Sequence, residues 1–248
     1  MSKPVLHIFA ISHYCEKARW ALDYRGIDYT LSTLAPGAHI KKARSLGFKR
    51  GALPMMETGE AVLQGSADIV SWAEEREARG PALSSAQNRS EALAIEKRLD
   101  EKIGIHVRRY FYSEALVNHS ETVRPIFLRR QPLLENLKVR LGWSTIRKLM
   151  IKAMDLGPEQ RLDSKAILET ELDWLDGLLS DGRKVLLGDT FSRADLAAAS
   201  LLAPLVDPDN HPEYADVVLP PAIAEDVKGW AVRPSLNYVR DIYRQYRA

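Results

Sequence analysis

The chain has 248 residues, of which 46% are apolar and 27% are charged. This balance is typical of globular proteins that bury a substantial core, and it excludes disordered and collagen-like classes. The formal net charge is only +2, so charge alone does not indicate a nucleic-acid partner. Cys15 is the only cysteine, which excludes an intramolecular disulfide and an all-cysteine zinc site and favours a reducing compartment.

The first 79 residues alternate strand and helix signals. Branched and aromatic residues over 5–10 predict a strand, and helical spacing follows Ser12. The later elements are a strand over 28–33, a helix over 41–46, strands over 55–58 and 61–63, and a helix that opens at Ser66. The predicted order is therefore βαβα followed by ββα.

The character of the chain changes after residue 79. Residues 80–89 are rich in Gly, Pro, Ser and Ala and predict a linker, and residues 90–248 predict an all-helical domain without a convincing strand. No stretch approaches the roughly 18 apolar residues that a membrane-spanning helix needs. The first ten residues lack a signal-peptide pattern. We therefore expect a cytoplasmic protein with no membrane partner.

Two strand-to-helix junctions are suited to binding anions. Ser12 precedes the first predicted helix, where backbone N–H groups and the helix dipole would stabilise an anion, above all a thiolate. Ser66 follows a strand in the same way, and the free N–H groups there suit a carboxylate. Each serine is equally explained as a helix N-cap.

A proline lies just ahead of the third predicted strand. A cis bond between Leu53 and Pro54 would turn the backbone so that the N–H and C=O of Leu53 face outward. Most X–Pro bonds are trans, so this signal is weak by itself.

In order and spacing, these three elements resemble the glutathione transferase family over nearly the whole chain. The resemblance implies a thioredoxin-like α/β domain over 1–79 that binds glutathione, followed by an all-α helical bundle over 90–248 that contributes the acceptor-substrate pocket. It implies an enzyme that activates glutathione as a thiolate for attack on a small electrophilic or hydrophobic substrate. It also implies a homodimer that acts in detoxification and needs no metal.

The resemblance assigns roles to particular residues. Ser12 would be the catalytic residue beside the glutathione sulfur, Leu53-Pro54 would pair with the tripeptide backbone, and Ser66 would hold the γ-glutamyl carboxylate. The predicted glutathione-binding residues are Lys41, Leu53, Pro54, Gln64, Gly65 and Ser66.

A motif in the second domain also fits the family. Ser192 and Asp195 have the spacing of a capping box, and Phe191 with Leu196 forms a candidate hydrophobic staple. This motif predicts a buried helix and has a structural role.

Three features leave the function open. The family commonly has Glu or Gln immediately before the Ser66 position, whereas this chain has Gly65 there and Gln64 one residue earlier. Tyr14 is a second candidate for the contact with sulfur, although it falls within the first helical turn. Cys15 has the spacing of the second cysteine in a redox motif, which permits glutathione-dependent thiol transfer or peroxide reduction, or simple packing in the core. A non-catalytic binding protein is the third interpretation.

Two basic stretches stand out. Between residues 39 and 50 there are five Lys or Arg and no acidic residue, and the resemblance implies that one of them, with Lys41 the first candidate, contacts the glycyl carboxylate. From residue 124 to 152 there are eight Lys or Arg against Glu135 alone. This second stretch is compatible with a nucleic-acid or membrane patch. We interpret it as the exposed side of amphipathic helices and expect no nucleic-acid partner.

Overall fold

The computed structural model describes residues 3–214 and 217–247. They fall into two compact units, one formed by residues up to 81 together with 121–150, and one by 82–120 together with 151–247. The boundary at 81 lies in the predicted linker. The functional division into 1–79 and 90–248 stays a prediction, because residues 121–150 are grouped with the first unit.

The first unit contains a four-stranded mixed sheet. Its strands are β1 (Val5–Ile8), β2 (Thr30–Thr33), β3 (Met55–Glu57) and β4 (Val62–Gln64), in the order β2-β1-β3-β4. β1 is parallel to β2, and β3 is antiparallel to both β1 and β4. The helices are α1 (His13–Tyr24), α2 (Ala38–Ser45) and α3 (Ser66–Glu74). The predicted thioredoxin-like order βαβα–ββα is confirmed.

Alternation along the strands sorts their side chains between the two faces of the sheet. Leu6, Ile8 and Met56 are fully buried and pack with residues of α1 and α3 in one cluster. On the other face, Glu57 of β3 accepts from His7 Nε2 of β1 and lies 2.7 Å from Lys42 Nζ of α2. The sheet is therefore covered by α1 and α3 on one side and contacted by α2 on the other.

The rest of the chain is helical, as predicted. The elements are α4 (Arg89–Arg98), a π-helical segment (Leu99–Gly104), α5 (Ile105–Asn118), α6 (Ser120–Phe127), α7 (Leu133–Met154), α8 (Pro158–Leu178), α9 (Arg193–Val206), α10 (Pro221–Trp230) and α11 (Pro234–Tyr246). Beyond β4 the described residues contain no strand. None of the described helices has the length and apolar composition to cross a bilayer.

The core of the second unit is built around α9. This helix is apolar on nearly every side, and it packs against α4 and α11. The predicted capping box is present at its start, where the Ser192 amide donates to Asp195 Oδ2 at 2.7 Å. Phe191 stacks on Tyr246 with 4.6 Å between ring centroids, and its staple with Leu196 stays a prediction.

Asp195 joins three parts of the second unit. Its carboxylate is fully buried and accepts from the Ser192 hydroxyl at 2.6 Å, from the Leu186 amide at 2.6 Å and from the Tyr238 hydroxyl. Burial, reinforced by Asp195, raises the pKa of Tyr238 well above its ordinary value, so the phenol remains a donor. Through these hydrogen bonds, the capping residue Asp195 also holds the preceding loop and α11 in place.

We expect Asp195→Ala to lower the free energy of unfolding by about 3 kcal/mol or more, because several buried donors lose their acceptor at once. Asp189→Ala is the matched control, since Asp189 is exposed six residues earlier. Chemical denaturation followed by circular dichroism measures both. Equal stability of the two variants would show that the Asp195 network contributes little.

Candidate functional site

The sheet brings the three predicted elements to one edge. His7 lies opposite Met55 in the antiparallel pair, so the residues that follow β1 lie beside those that precede β3. Met55 also lies opposite Gln64, and the Gly65 amide donates to the Pro54 carbonyl at 2.9 Å. The segments that hold Ser12, Leu53 and Ser66 therefore meet at the same sheet edge.

Ser12 is the N-cap of α1. Its Oγ accepts from the Cys15 amide at 3.4 Å, and its own amide donates to the Phe9 carbonyl at 3.1 Å. The capping interpretation is thus confirmed. Capping uses a lone pair of the hydroxyl oxygen, so the hydroxyl can still donate its proton to another group.

Tyr14 is the second residue of α1, within the first turn as predicted. Its ring lies against the ring of His13, with 4.6 Å between the centroids. Ser12, and not Tyr14, occupies the junction between the strand and the helix.

Cys15 is fully buried in the core between the sheet and α1. Burial raises the pKa of its thiol to about 12, although hydrogen bonding with Ser12 opposes the shift. Because its pKa is raised, the thiol stays protonated at neutral pH. This environment suits a packing residue, because a reactive cysteine needs an accessible thiolate.

The Leu53-Pro54 bond is cis, as predicted. The amide and the carbonyl of Leu53 have no hydrogen-bond partner within residues 3–214 and 217–247. Its side chain packs against the core, which anchors the segment. Leu53 therefore presents one backbone donor and one backbone acceptor, the combination that an extended peptide pairs with.

The start of α3 corrects one prediction. Gly65, and not Ser66, is the N-cap, and it makes no side-chain cap. The φ of Gly65 is 110°, a conformation that residues with a Cβ rarely adopt, which explains the glycine at this position. Ser66 is the first helical residue, and its hydroxyl has no partner among the described residues. The amides of residues 66–68 are likewise not used by the described backbone, which leaves a group of donors suited to a carboxylate.

Gln64 fixes the loop that leads to Leu53. Its side-chain nitrogen donates to the Arg50 carbonyl at 2.7 Å and to the Ala52 carbonyl at 3.0 Å. Both N–H groups of the amide are therefore engaged within the protein. This geometry gives Gln64 a positioning role, and its predicted contact with glutathione stays a prediction.

Among the cations of residues 39–50, the structure distinguishes the one that forms an ion pair from those that do not. Lys42 pairs with Glu57, and hydrogen bonds from Lys42 and His7 hold the pKa of Glu57 below its ordinary value. The exposed cations without an ion pair among the described residues are Lys41, Arg44, Lys49 and Arg50. A Cβ at Gly51 would lie 3.0 Å from Ile40 Cγ1, so the first turn of α2, which includes Lys41, lies beside the loop before Leu53.

An aromatic contact beside this edge was not predicted. The Phe9 ring meets His39 edge-on at 4.7 Å and Phe127 at 6.5 Å between centroids. Burial lowers the pKa of His39, so its imidazole is neutral at neutral pH. The only sequence signal for this contact is an aromatic residue three positions before Ser12. Such a residue is equally expected at the end of a strand.

The chemistry of this edge follows from its donors. The Ser12 hydroxyl, the Leu53 backbone and the first turn of α3 offer hydrogen bonds to an extended anionic ligand, and exposed cations lie nearby. Among the described residues, no group of three or more His, Cys, Asp or Glu side chains is placed to hold a metal ion.

Solved structures share this architecture. The chain is similar to the glutathione transferase GSTFuA3 from Phanerochaete chrysosporium, with 16% identity, a TM-score of 0.65 and coverage of 98% of this chain and 96% of the other. It is similar to CsGST63524 of Ceriporiopsis subvermispora, solved in complex with glutathione, with 15% identity, a TM-score of 0.64 and coverage of 100% and 98%. The β-etherase LigF from Sphingobium sp. strain SYK-6 has 17% identity, a TM-score of 0.61 and coverage of 96% and 98%.

One of two sequence comparisons points the same way. No curated protein sequence matches the chain significantly. Residues 6–82 match the family model for the N-terminal domain of glutathione S-transferases, a range that contains Ser12, Leu53 and Ser66. The resemblance inferred from the sequence is confirmed: residues 6–82 match the N-terminal domain of glutathione S-transferases, and the chain has the glutathione S-transferase fold.

Proposed function

We propose that this protein binds glutathione at the edge formed by Ser12, Leu53 and Ser66 and transfers it to a small electrophilic substrate. The observation that carries the proposal is the set of unused donors and acceptors at this edge, namely the Leu53 backbone and the first turn of α3. The family match over residues 6–82 supports it, and so does the glutathione complex of the structurally similar CsGST63524.

Each binding residue has a chemical counterpart in the tripeptide. Leu53 offers its N–H and C=O to the peptide backbone, as one strand offers them to another. Ser66 and the amides of the first turn of α3 bind the γ-glutamyl carboxylate, and Lys41 complements the glycyl carboxylate. Gln64 supports this arrangement by holding the loop before Leu53.

Ser12 is the proposed catalytic residue. When bound, the glutathione thiol releases its proton to solvent, and the resulting thiolate forms a sulfur–carbon bond as the leaving group departs with its electron pair. Ser12 donates its hydroxyl proton in a hydrogen bond to the sulfur, and the N-terminus of α1 adds a favourable partial charge. A hydrogen bond to the charged form lowers the pKa of a thiol, so Ser12 increases the fraction of nucleophile near neutral pH.

The family resemblance carries further parts of this proposal. It implies a homodimer, a cytoplasmic location and a role in detoxification, and it assigns glutathione to residues 1–79 and the acceptor to residues 90–248. Conjugation and ether cleavage both begin with the same activated thiol. Because one similar structure is a β-etherase, a substrate screen should include aryl ethers as well as simple electrophiles.

The structure favours Ser12 over the Cys15 alternative. Thiol transfer by Cys15 requires an accessible sulfur that ionises readily, whereas this thiol is buried and its pKa is raised to about 12. Gly65 has a backbone role at the start of α3, so its presence is not by itself a sign of a lost glutathione site.

We expect Ser12→Ala to lower kcat/KM near neutral pH by about 10²–10³-fold, the usual effect of removing one donor to a developing anion. The pKa of the bound thiol should rise at the same time, so that the loss shrinks as the pH increases. Ser12→Thr, which keeps a hydroxyl, and Tyr14→Phe, which removes the competing one, are the controls. A large loss in Tyr14→Phe with an unchanged Ser12→Ala would assign the role to Tyr14.

We expect Ser66→Ala to weaken glutathione binding about tenfold, because a hydrogen bond to a carboxylate is lost. The dipeptide cysteinylglycine lacks the γ-glutamyl group, so it should bind the variant and the wild type equally. Calorimetric titration with both ligands makes the comparison. Equal weakening for both ligands would show that Ser66 does not contact the γ-glutamyl carboxylate.

We expect Cys15 to react with an aromatic disulfide reagent at least about 10³-fold more slowly in the folded protein than in denaturant, because both access and ionisation are suppressed. Cys15→Ala should keep the transferase activity. Rapid labelling of the native protein, together with loss of activity in Cys15→Ala, would restore the Cys15 mechanism.

A further inference from the structure

One end of α7 exposes an unusual number of large apolar side chains. Leu133, Leu134, Leu137 and Leu141 have between 53% and 87% of their surface accessible. Single exposed leucines are ordinary on protein surfaces, but four within nine residues form a patch. We call these four residues the leucine face.

The leucine face points away from the unit to which it belongs. Leu134, Leu137 and Leu141 are three and four residues apart, the spacing that places side chains on one side of a helix. Val139 and Trp143 lie on the opposite side and are buried, and the Trp143 ring is 5.9 Å from Phe127 between centroids. Packing within the unit therefore uses the other side of α7.

The same helix carries cations within and beyond the stretch that holds these leucines. Glu135 is the only acidic residue of α7, and Lys138 Nζ contacts it at 2.5 Å. Arg140 and Lys148 are exposed and have no ion pair among the described residues. On α7 itself, the net charge is therefore positive, and its one carboxylate is compensated by Lys138.

The combination of apolar and positive groups identifies the partner. Nucleic acid would complement the cations, but a phosphate backbone gives no reason to expose four leucines. A second copy meeting this face through a twofold axis would bury the leucines, but it would also bring Arg140 and Lys148 of both copies together without carboxylates to pair with. An anionic lipid surface satisfies both requirements, because its acyl region accepts leucines and its headgroups accept cations.

We propose that the leucine face, with Arg140 and Lys148, docks the protein on an anionic phospholipid bilayer. The helix lies at the interface and does not span the bilayer. The proposal replaces the expectation from sequence that the protein has no membrane partner, and it is independent of glutathione chemistry.

Co-sedimentation of the full chain with vesicles tests this proposal. We expect binding to vesicles of phosphatidylcholine mixed with phosphatidylserine, little binding to phosphatidylcholine alone, and weaker binding at higher ionic strength. Leu134→Ser combined with Leu141→Ser should reduce the partition coefficient at least about tenfold. Arg140→Gln combined with Lys148→Gln should also reduce it about tenfold or more, on anionic vesicles only.

Matched controls separate the leucine face from general surface effects. Leu162→Ser removes a leucine that is 57% exposed on α8, and Lys184→Gln removes an exposed cation outside α7, so both should leave vesicle binding unchanged. Thermal melting followed by circular dichroism confirms that each variant is folded. The solution mass of the wild type and of the leucine variant is measured in parallel.

Two outcomes would overturn the proposal. One is the absence of binding to anionic vesicles, or binding that neither double variant reduces. The other is a wild-type mass twice that of the leucine variant without vesicle binding, which would assign the leucine face to self-association.

Discussion

The pairing of Met55 with both His7 and Gln64 is the constraint on which the candidate site depends. Because β3 lies between β1 and β4 and is antiparallel to both, the end of β1, the start of β3 and the end of β4 share one edge of the sheet. Three segments that are far apart in sequence thereby become neighbours. A shift in this register would separate Ser12 from Leu53 and Ser66 even if every helix formed correctly.

The chemistry of that edge is set by which groups the fold leaves unused. Ser12 and Cys15 lie three residues apart on the same helical turn. Ser12 is partly exposed at the junction between strand and helix, whereas Cys15 is fully buried in the core. Burial therefore suppresses ionisation of the Cys15 thiol, while the Ser12 hydroxyl remains at the position proposed for the glutathione thiol. At the start of α3, the N-cap is a glycine, so the hydroxyl of Ser66 is not used to cap the helix.

Local signals in the sequence predicted much of this arrangement. Strand and helix order, the Ser12 cap and the Ser192–Asp195 box depend on short-range patterns, and the structure agrees with each. The proline itself indicated the cis Leu53-Pro54 bond only weakly, and the family resemblance made it an expectation. The resemblance to a family then suggested why they occur together.

Features that depend on distant contacts or on backbone angles were not predictable in this way. The φ of Gly65, the hydrogen bonds from Gln64 to the loop before Leu53 and the contact between Phe9 and Phe127 leave no local pattern. The exposure of the leucine face is a further example. Its leucines have ordinary helical spacing, and only the packing of Val139 and Trp143 shows which side of α7 remains outside.

The most direct test of the central claim is the ultraviolet absorbance of the thiolate as glutathione is titrated into the wild-type protein at a series of pH values. We expect the signal to saturate with glutathione and its midpoint pH to lie below about 8.5, the ordinary pKa of a thiol, because Ser12 and the N-terminus of α1 stabilise the anion. A saturable signal with an unshifted pKa would contradict the role of Ser12. The absence of any saturable signal would contradict the glutathione site itself.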